Sequence, residues 1–198
     1  HGVFRRCFSL TSIVVAEGNT VYDSRKNCNA LIHTATNTLI LGCQNTTIPD
    51  GVKSIGEFAF QNCNNLTSIV IPEGVTSIGR GVFSSCSSLT SIVIPDSVTS
   101  IGDITFSNCK SLTSIVIPDG VTSIGEWAFS NCKSLTSIVI PDGVTSIGEC
   151  AFDDCKALKT ISYNGTKAQW SKIMLDDCEG IGDFPTNVVH CTDGDVEM

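Results

Sequence analysis

Positive charge is scarce in this chain: 12 Lys and Arg stand against 20 Asp and Glu, a formal net charge of −8 over 198 residues. Nucleic acid and anionic membrane surfaces both reward clustered Lys and Arg, so neither is expected as a partner. Long apolar runs are missing too. None reaches the ~18–20 residues of a membrane span, so no membrane insertion is expected. The three histidines, His1, His33 and His190, share no spacing. His190-Cys191 with Cys178 lacks the paired short spacing of a structural zinc site, and Asp193-Gly194-Asp195 lacks the rest of a calcium loop. The chain has no glycine-rich phosphate loop and no Gly-x-Ser-x-Gly elbow. No Ser is placed by the sequence beside a His and an acid. Neither a cofactor nor a metal nor enzymatic activity is therefore expected. The chain starts at His1 with no signal peptide, and it reads as a mature or excised segment.

What is abundant is repetition. The stretch FSNCKSLTSIVIPDGVTSIGE runs from Phe106 to Glu126 and again, unchanged, from Phe129 to Glu149. Pro49, Pro72, Pro95, Pro118 and Pro141 are spaced by 23 residues, as are Phe60, Phe83, Phe106, Phe129 and Phe152. Eleven cysteines would ordinarily suggest a disulfide scaffold. Cys63, Cys86, Cys109, Cys132 and Cys155, however, keep the same 23-residue phase. Cysteines at one phase of a repeat form a structural column, and a free Cys packs as a small buried hydrophobe.

The unit reads Leu112-x-x-Ile115-x-Ile117-Pro118-x-x-Val121-x-x-Ile124-Gly125, then Ala128-Phe129-x-x-Cys132. Ile115 and Ile117 alternate as in a strand, and Pro118 ends it by removing a ladder donor. A second short extended piece, Val121 to Ile124, stops at Gly125. Ala128, Phe129 and Cys132 then have the spacing of one helical turn. Each unit turns about eight residues inward, worth ~10–20 kcal/mol at ~1.5–3 kcal/mol per large side chain. Fixing its backbone costs ~1–2 kcal/mol per residue. One unit cannot stand alone and must stack on neighbours as a solenoid.

This motif resembles the short leucine-rich repeat of BspA-like bacterial surface proteins. The resemblance covers nearly the whole chain. It implies a leucine-rich repeat solenoid of the α/β horseshoe type, predominantly β with short helical turns. A curved right-handed superhelix with a C-terminal helix-strand cap is the expected form. It implies one domain over residues 1–198: a partial repeat over 1–15, an irregular repeat with a hairpin insertion over 16–47, regular repeats over 48–163 and a C-terminal cap over 164–198. The insertion, NALIHTATNTLILG, reads as two short strands around an Ala35-to-Thr38 turn. Cys28 and Cys43 flank it and either bridge or remain thiols. In the cap, Thr166 and Gln169 form a capping-box signature for a helix from Lys167 to Leu175 with Trp170, Ile173 and Met174 on its apolar face. A strand over Thr186 to Cys191 follows, and Cys178 and Cys191 either bridge there or stay reduced.

If Leu112, Ile115 and Ile117 point inward, Ser114 and Val116 point outward. The outward columns are Ser68, Ser91, Ser114 and Ser137 beside Val70, Val93, Val116 and Val139. In leucine-rich repeats this face is concave and is where partners usually bind. The alternative is a plain sheet surface of high strand propensity. Acidic columns follow the prolines (Asp50, Glu73, Asp96, Asp119, Asp142) and the glycines (Glu57, Asp103, Glu126, Glu149, with Arg80 interrupting), and Lys110, Lys133 and Lys156 follow the cysteines. The resemblance implies a non-enzymatic, secreted or cell-surface adhesion module whose partner is an extracellular, host matrix or plasma protein. A spacer segment with no ligand is the competing expectation. One position varies among otherwise similar copies: Phe58, Gly81, Ile104, Trp127 and Cys150.

Overall fold

The computed structural model describes residues 10–175 and 188–197. It is a stack of similar coils. Ten strands lead along the chain: β1 (Tyr22–Asp23), β2 (Leu31–His33), β3 (Thr38–Leu41), β4 (Ser54–Ile55), β5 (Ser77–Ile78), β6 (Ser100–Ile101), β7 (Ser123–Ile124), β8 (Ser137–Ile140), β9 (Ser146–Ile147) and β10 (Thr160–Tyr163). Helix α1 (Lys167–Trp170) and strands β11 (Met174–Leu175), β12 (Val188–Cys191) and β13 (Gly194–Glu197) follow.

The inward positions of the repeat are buried, with Cys63 alone among the column cysteines partly exposed. The Phe column is fully enclosed, and its rings stack at 5.4, 5.6, 5.4 and 5.5 Å from Phe60 to Phe152. Leu66, Leu89, Leu112, Leu135 and Leu158 form a second buried column, and Val75, Val98, Val121 and Val144 a third. Every coil therefore hides its apolar side chains against the coil before and after, so burial worth about 2 kcal/mol per large residue exists only in the stack.

Three lines of backbone hydrogen bonds tie the coils together. One passes through the strands after the valines, where Ser123–Ile124 pairs in parallel with both Ser100–Ile101 and Ser146–Ile147. A second consists of the parallel bridges joining Val70, Val93, Val116 and Val139. The third runs through the segment expected to be a helical turn. There Phe106 N–H donates to Ala128 O and Asn108 N–H to Ser130 O, each at 2.8 Å.

That segment is not helical. Two residues in every coil sit in the left-handed region and would break a helix. One column is the variable position, Phe58, Gly81, Ile104, Trp127 and Cys150, with φ between 48° and 61°. The other precedes the cysteine: Asn62, Ser85, Asn108, Asn131 and Asp154, with φ between 53° and 62°. Asn and Asp tolerate that conformation best among residues with a Cβ. Turn bonds such as Cys109 N–H to Phe106 O at 3.0 Å close the corner instead.

The first of these lines is interrupted once. β1 to β5 form one sheet and β6, β7, β9 and β11 another, so β5 and β6 are not joined. The turn after the proline changes form at the same place. Gly51 and Gly74 adopt φ of +90° and +91°, whereas Ser97, Gly120 and Gly143 are outside the left-handed region. A residue with a Cβ resists that region. The Ser97 hydroxyl instead donates to Val75 O at 2.6 Å.

At the amino-terminal side, the expected hairpin is present: β2 and β3 are antiparallel, with His33 opposite Thr38 and β1 added as a third strand. β3 then pairs in parallel with β4, Leu39 opposite Ile55, which brings the inserted hairpin into the ladder of the repeats. Beyond β10, the capping box forms: Thr166 N–H donates to Gln169 Oε1 at 2.9 Å, and Gln169 N–H to Thr166 Oγ1 at 3.3 Å. The helix stops at Trp170 rather than Leu175. Met174 is exposed, not on a helical face, because Met174–Leu175 extends and pairs with Ser146–Ile147. Trp170 is buried, edge-on to Tyr163 at 5.3 Å. The last two strands pair antiparallel, and β12 lies parallel to β10.

Candidate functional site

Strand alternation carries Ile92 and Ile94 into the core and leaves Ser91 and Val93 on the outer face, and the same holds in the neighbouring coils. Val70, Val93, Val116 and Val139 are 78%, 70%, 75% and 45% exposed. Valines this open, in register on adjacent rungs, make a continuous apolar strip rather than scattered contacts. Ser68, Ser91, Ser114 and Ser137 line it, all exposed and none with its hydroxyl hydrogen-bonded among the described residues. The neighbouring threonines differ. Thr90 and Thr113 donate their hydroxyls to Thr67 O and Thr90 O, each at 3.2 Å. All four hydroxyls of the serine column are thus open to a partner.

The strip continues beyond the regular repeats. Val139 lies opposite Ser162, Ser162 opposite His190, and His190 opposite Asp195. The His190 Nδ1 and Asp195 Oδ1 are 2.8 Å apart on the open face. A serine, a histidine and an acid are therefore brought to adjacent positions, a neighbourhood that sequence spacing did not reveal. Ser162 makes no hydrogen bond to His190 among the described residues, whereas a nucleophile needs its base within ~2.6–3.2 Å. The trio marks the end of the strip.

The column cysteines from Cys86 onward turn their thiols to the backbone of the preceding coil. Cys86, Cys109, Cys132 and Cys155 donate to Phe60 O, Phe83 O, Phe106 O and Phe129 O at 3.1, 3.2, 3.2 and 3.1 Å. Burial pushes the Cys63 and Cys109 thiols up to about 12, so the nucleophilic thiolate is suppressed. Neither bridge weighed from the sequence is formed at its described end. Cys28 and Cys43 are buried free thiols. Each is turned toward a carbonyl instead of toward the other, Cys28 Sγ to Ala30 O at 3.9 Å and Cys43 Sγ to Asn29 O at 3.5 Å. Cys191 is free, and Cys178 lies outside the described residues. The sequence instead missed Cys150, in the variable left-handed column, which is disulfide-bonded.

Among the described residues, no group of three or more His, Cys, Asp and Glu is arranged to hold a metal ion. No helix among them is long and apolar enough to cross a membrane. Opposite charges meet at the corners: Arg80 and Asp103 at 3.7 Å, Lys133 and Asp154 at 3.7 Å, Lys156 and Asp154 at 2.8 Å.

Stacked coils with buried Leu, Ile and Phe columns and a laddered outer face define a leucine-rich repeat solenoid. Residues 40–159 and 76–186 match the BspA type Leucine rich repeat region, in six copies, and the chain belongs to that family. Among solved structures it is similar to a leucine rich cell surface protein from Faecalibacterium prausnitzii, at 36% identity and a TM-score of 0.78. That match covers 85% of this chain and 45% of the other, so this chain spans less than half the length of that protein. The leucine rich repeat protein of T. pallidum is 30% identical with a TM-score of 0.58, covering 66% of each chain. The pneumococcal vaccine antigen PcpA shares the fold at 18% identity and a TM-score of 0.68, covering 85% of this chain and 50% of its own. No curated protein matches the chain.

Proposed function

We propose that this chain is a non-enzymatic protein-binding module of a bacterial cell-surface protein, engaging an extracellular partner such as a host matrix or plasma protein through its valine-serine face. The observation that carries this reading is the unbroken register of exposed Val70, Val93, Val116 and Val139 beside unengaged serine hydroxyls. An exposed apolar strip rimmed by polar groups is how docking surfaces are built. The likeness to a Faecalibacterium prausnitzii leucine rich cell surface protein supports the location. In the same reading, helix α1 and the β12–β13 hairpin cap the core of the rod. The test is capture of extracellular matrix and plasma proteins on the immobilised chain, with a Val93→Asp, Val116→Asp double variant beside it. Retention by the parent and loss by the variant is expected; equal capture by both overturns the reading.

A second reading, a ligand-free spacer, is favoured by the verbatim repeat of Phe106–Glu126 as Phe129–Glu149. Selection on core packing alone leaves copies alike. Displaying a reporter domain on the chain discriminates the two, since a spacer extends the reporter and captures nothing.

A further inference from the structure

We propose that the partner of the valine face is cationic: an extended protein segment whose small or aliphatic side chains lie along Val70, Val93, Val116 and Val139, and whose Lys or Arg meets Asp195 and Glu197. This rests on the reading of that face as a protein-binding surface and names what it would select. β13 is the last strand of its sheet, antiparallel to β12. Alternation turns Val196 to the core and leaves Asp195 and Glu197 exposed on the outer face. Register then decides where those carboxylates fall. Asp195 ends the row that begins with the valines, through Ser162 and His190, while Glu197 sits opposite Val188. His190 engages Asp195 Oδ1, and Oδ2 has no partner among the described residues.

A long side of the strip is acidic as well. Glu73, Asp96, Asp119 and Asp142 are exposed, each three residues beyond a valine in the turn that follows the proline. On the far side Lys133 and Lys156 are matched by Asp154 within the chain, and Lys110 is exposed with no ion pair among the described residues. An apolar strip bounded on two sides by carboxylates favours a segment carrying positive charge at one end and along one flank. A second copy of this chain is disfavoured as the occupant, since it brings the same carboxylate columns and the same net charge of −8. The strip is also short, four rungs of about 4.8 Å, which suits one extended segment better than a folded surface of ~800 Å².

The test uses the chain as it exists and three labelled short peptides of alternating valine and serine, ending in paired lysines, paired glutamates or paired glutamines. Binding is read by fluorescence anisotropy at low and high salt. The lysine peptide is expected to bind about tenfold more tightly than the glutamine peptide, and to lose that margin at high salt. Asp195→Asn with Glu197→Gln is expected to remove the margin while leaving glutamine-peptide binding intact. Val93→Asn with Val116→Asn is expected to abolish binding of all three, with circular dichroism reporting that the fold persists. Equal binding of the three peptides, lost only in the valine variant, overturns the cationic partner and leaves the docking face standing. Binding of none, or binding indifferent to the valine variant, overturns both.

Discussion

Cys109 donates its thiol proton to the carbonyl of Phe83, one coil back, across 3.2 Å, and the same bond recurs from Cys86, Cys132 and Cys155. The acceptor already receives the N–H of Cys86 at 3.0 Å, so the thiol adds a cross-coil tie to a closed turn. Cys109→Ala removes both that tie and buried sulfur, and is expected to destabilise the chain by about 1–3 kcal/mol. Urea unfolding checks it. An unchanged midpoint removes the thiol from the list of what holds the coils together.

Alkaline pH attacks the same column. Burial raises the Cys63 and Cys109 thiols from near 9 to about 12. The unfolded chain ionises these thiols first, so their contribution is fully present below pH 9 and is lost as pH rises from about 9 to about 12. A Cys63→Ala, Cys109→Ala variant is expected to show a shallower loss of stability over that window than the parent. Parallel curves for the two would reject the assignment.

Thiol counting tests the bridge. With Cys150 disulfide-bonded and eleven cysteines in the chain, denatured, unreduced protein should titrate nine thiols. Folded protein should react far less, because the cysteine column is buried. Eleven thiols on unfolding would mean that no bridge exists.

The variable column carries strain of different sizes. Gly81 lies at φ +61°, and a Cβ there would meet the Phe58 ring at 2.5 Å. Gly81→Ala is therefore expected to destabilise by about 1–3 kcal/mol. Ile104, β-branched at φ 48°, pays about 1–2 kcal/mol for its backbone. Ile104→Asn, which suits that region, is expected to raise the melting temperature. A fall would mean that the half-buried isoleucine packs better than its backbone strain costs.

Amide exchange locates the interruption between β5 and β6. Gly79, Gly125 and Gly148 N–H groups donate to Ile55 O, Ile101 O and Ile124 O at 2.8–2.9 Å, while Gly102 has no such bond among the described residues. Gly102 is expected to exchange fastest of the four. Equal protection would show that the ladder is continuous in solution.

Much of this was legible because each inward residue recurs at one phase. The Phe, Leu and Val columns, the outward Ser and Val columns and the capping box at Thr166 follow from alternation and spacing alone. The left-handed corners were not legible, although Asn before Cys is a clue to one of them. Phe, Ile, Trp and Cys at the other give no local sign of positive φ, because the stacked turns impose it against propensity. The missing link between β5 and β6 had one trace, Ser97 in a place where other copies have glycine. The free Cys28 and Cys43 followed from side-chain direction, which spacing cannot report.

By itself the sequence determined that this chain is a stacked solenoid, since a 23-residue period in apolar residues can be buried only by stacking. It also determined which residues face out on the repeated strands, because alternation is a property of the strand. Tertiary structure decided how the strip ends. Ser162, His190 and Asp195 belong to no period, and only the parallel docking of β12 on β10 and the return of β13 bring them into line with the valines.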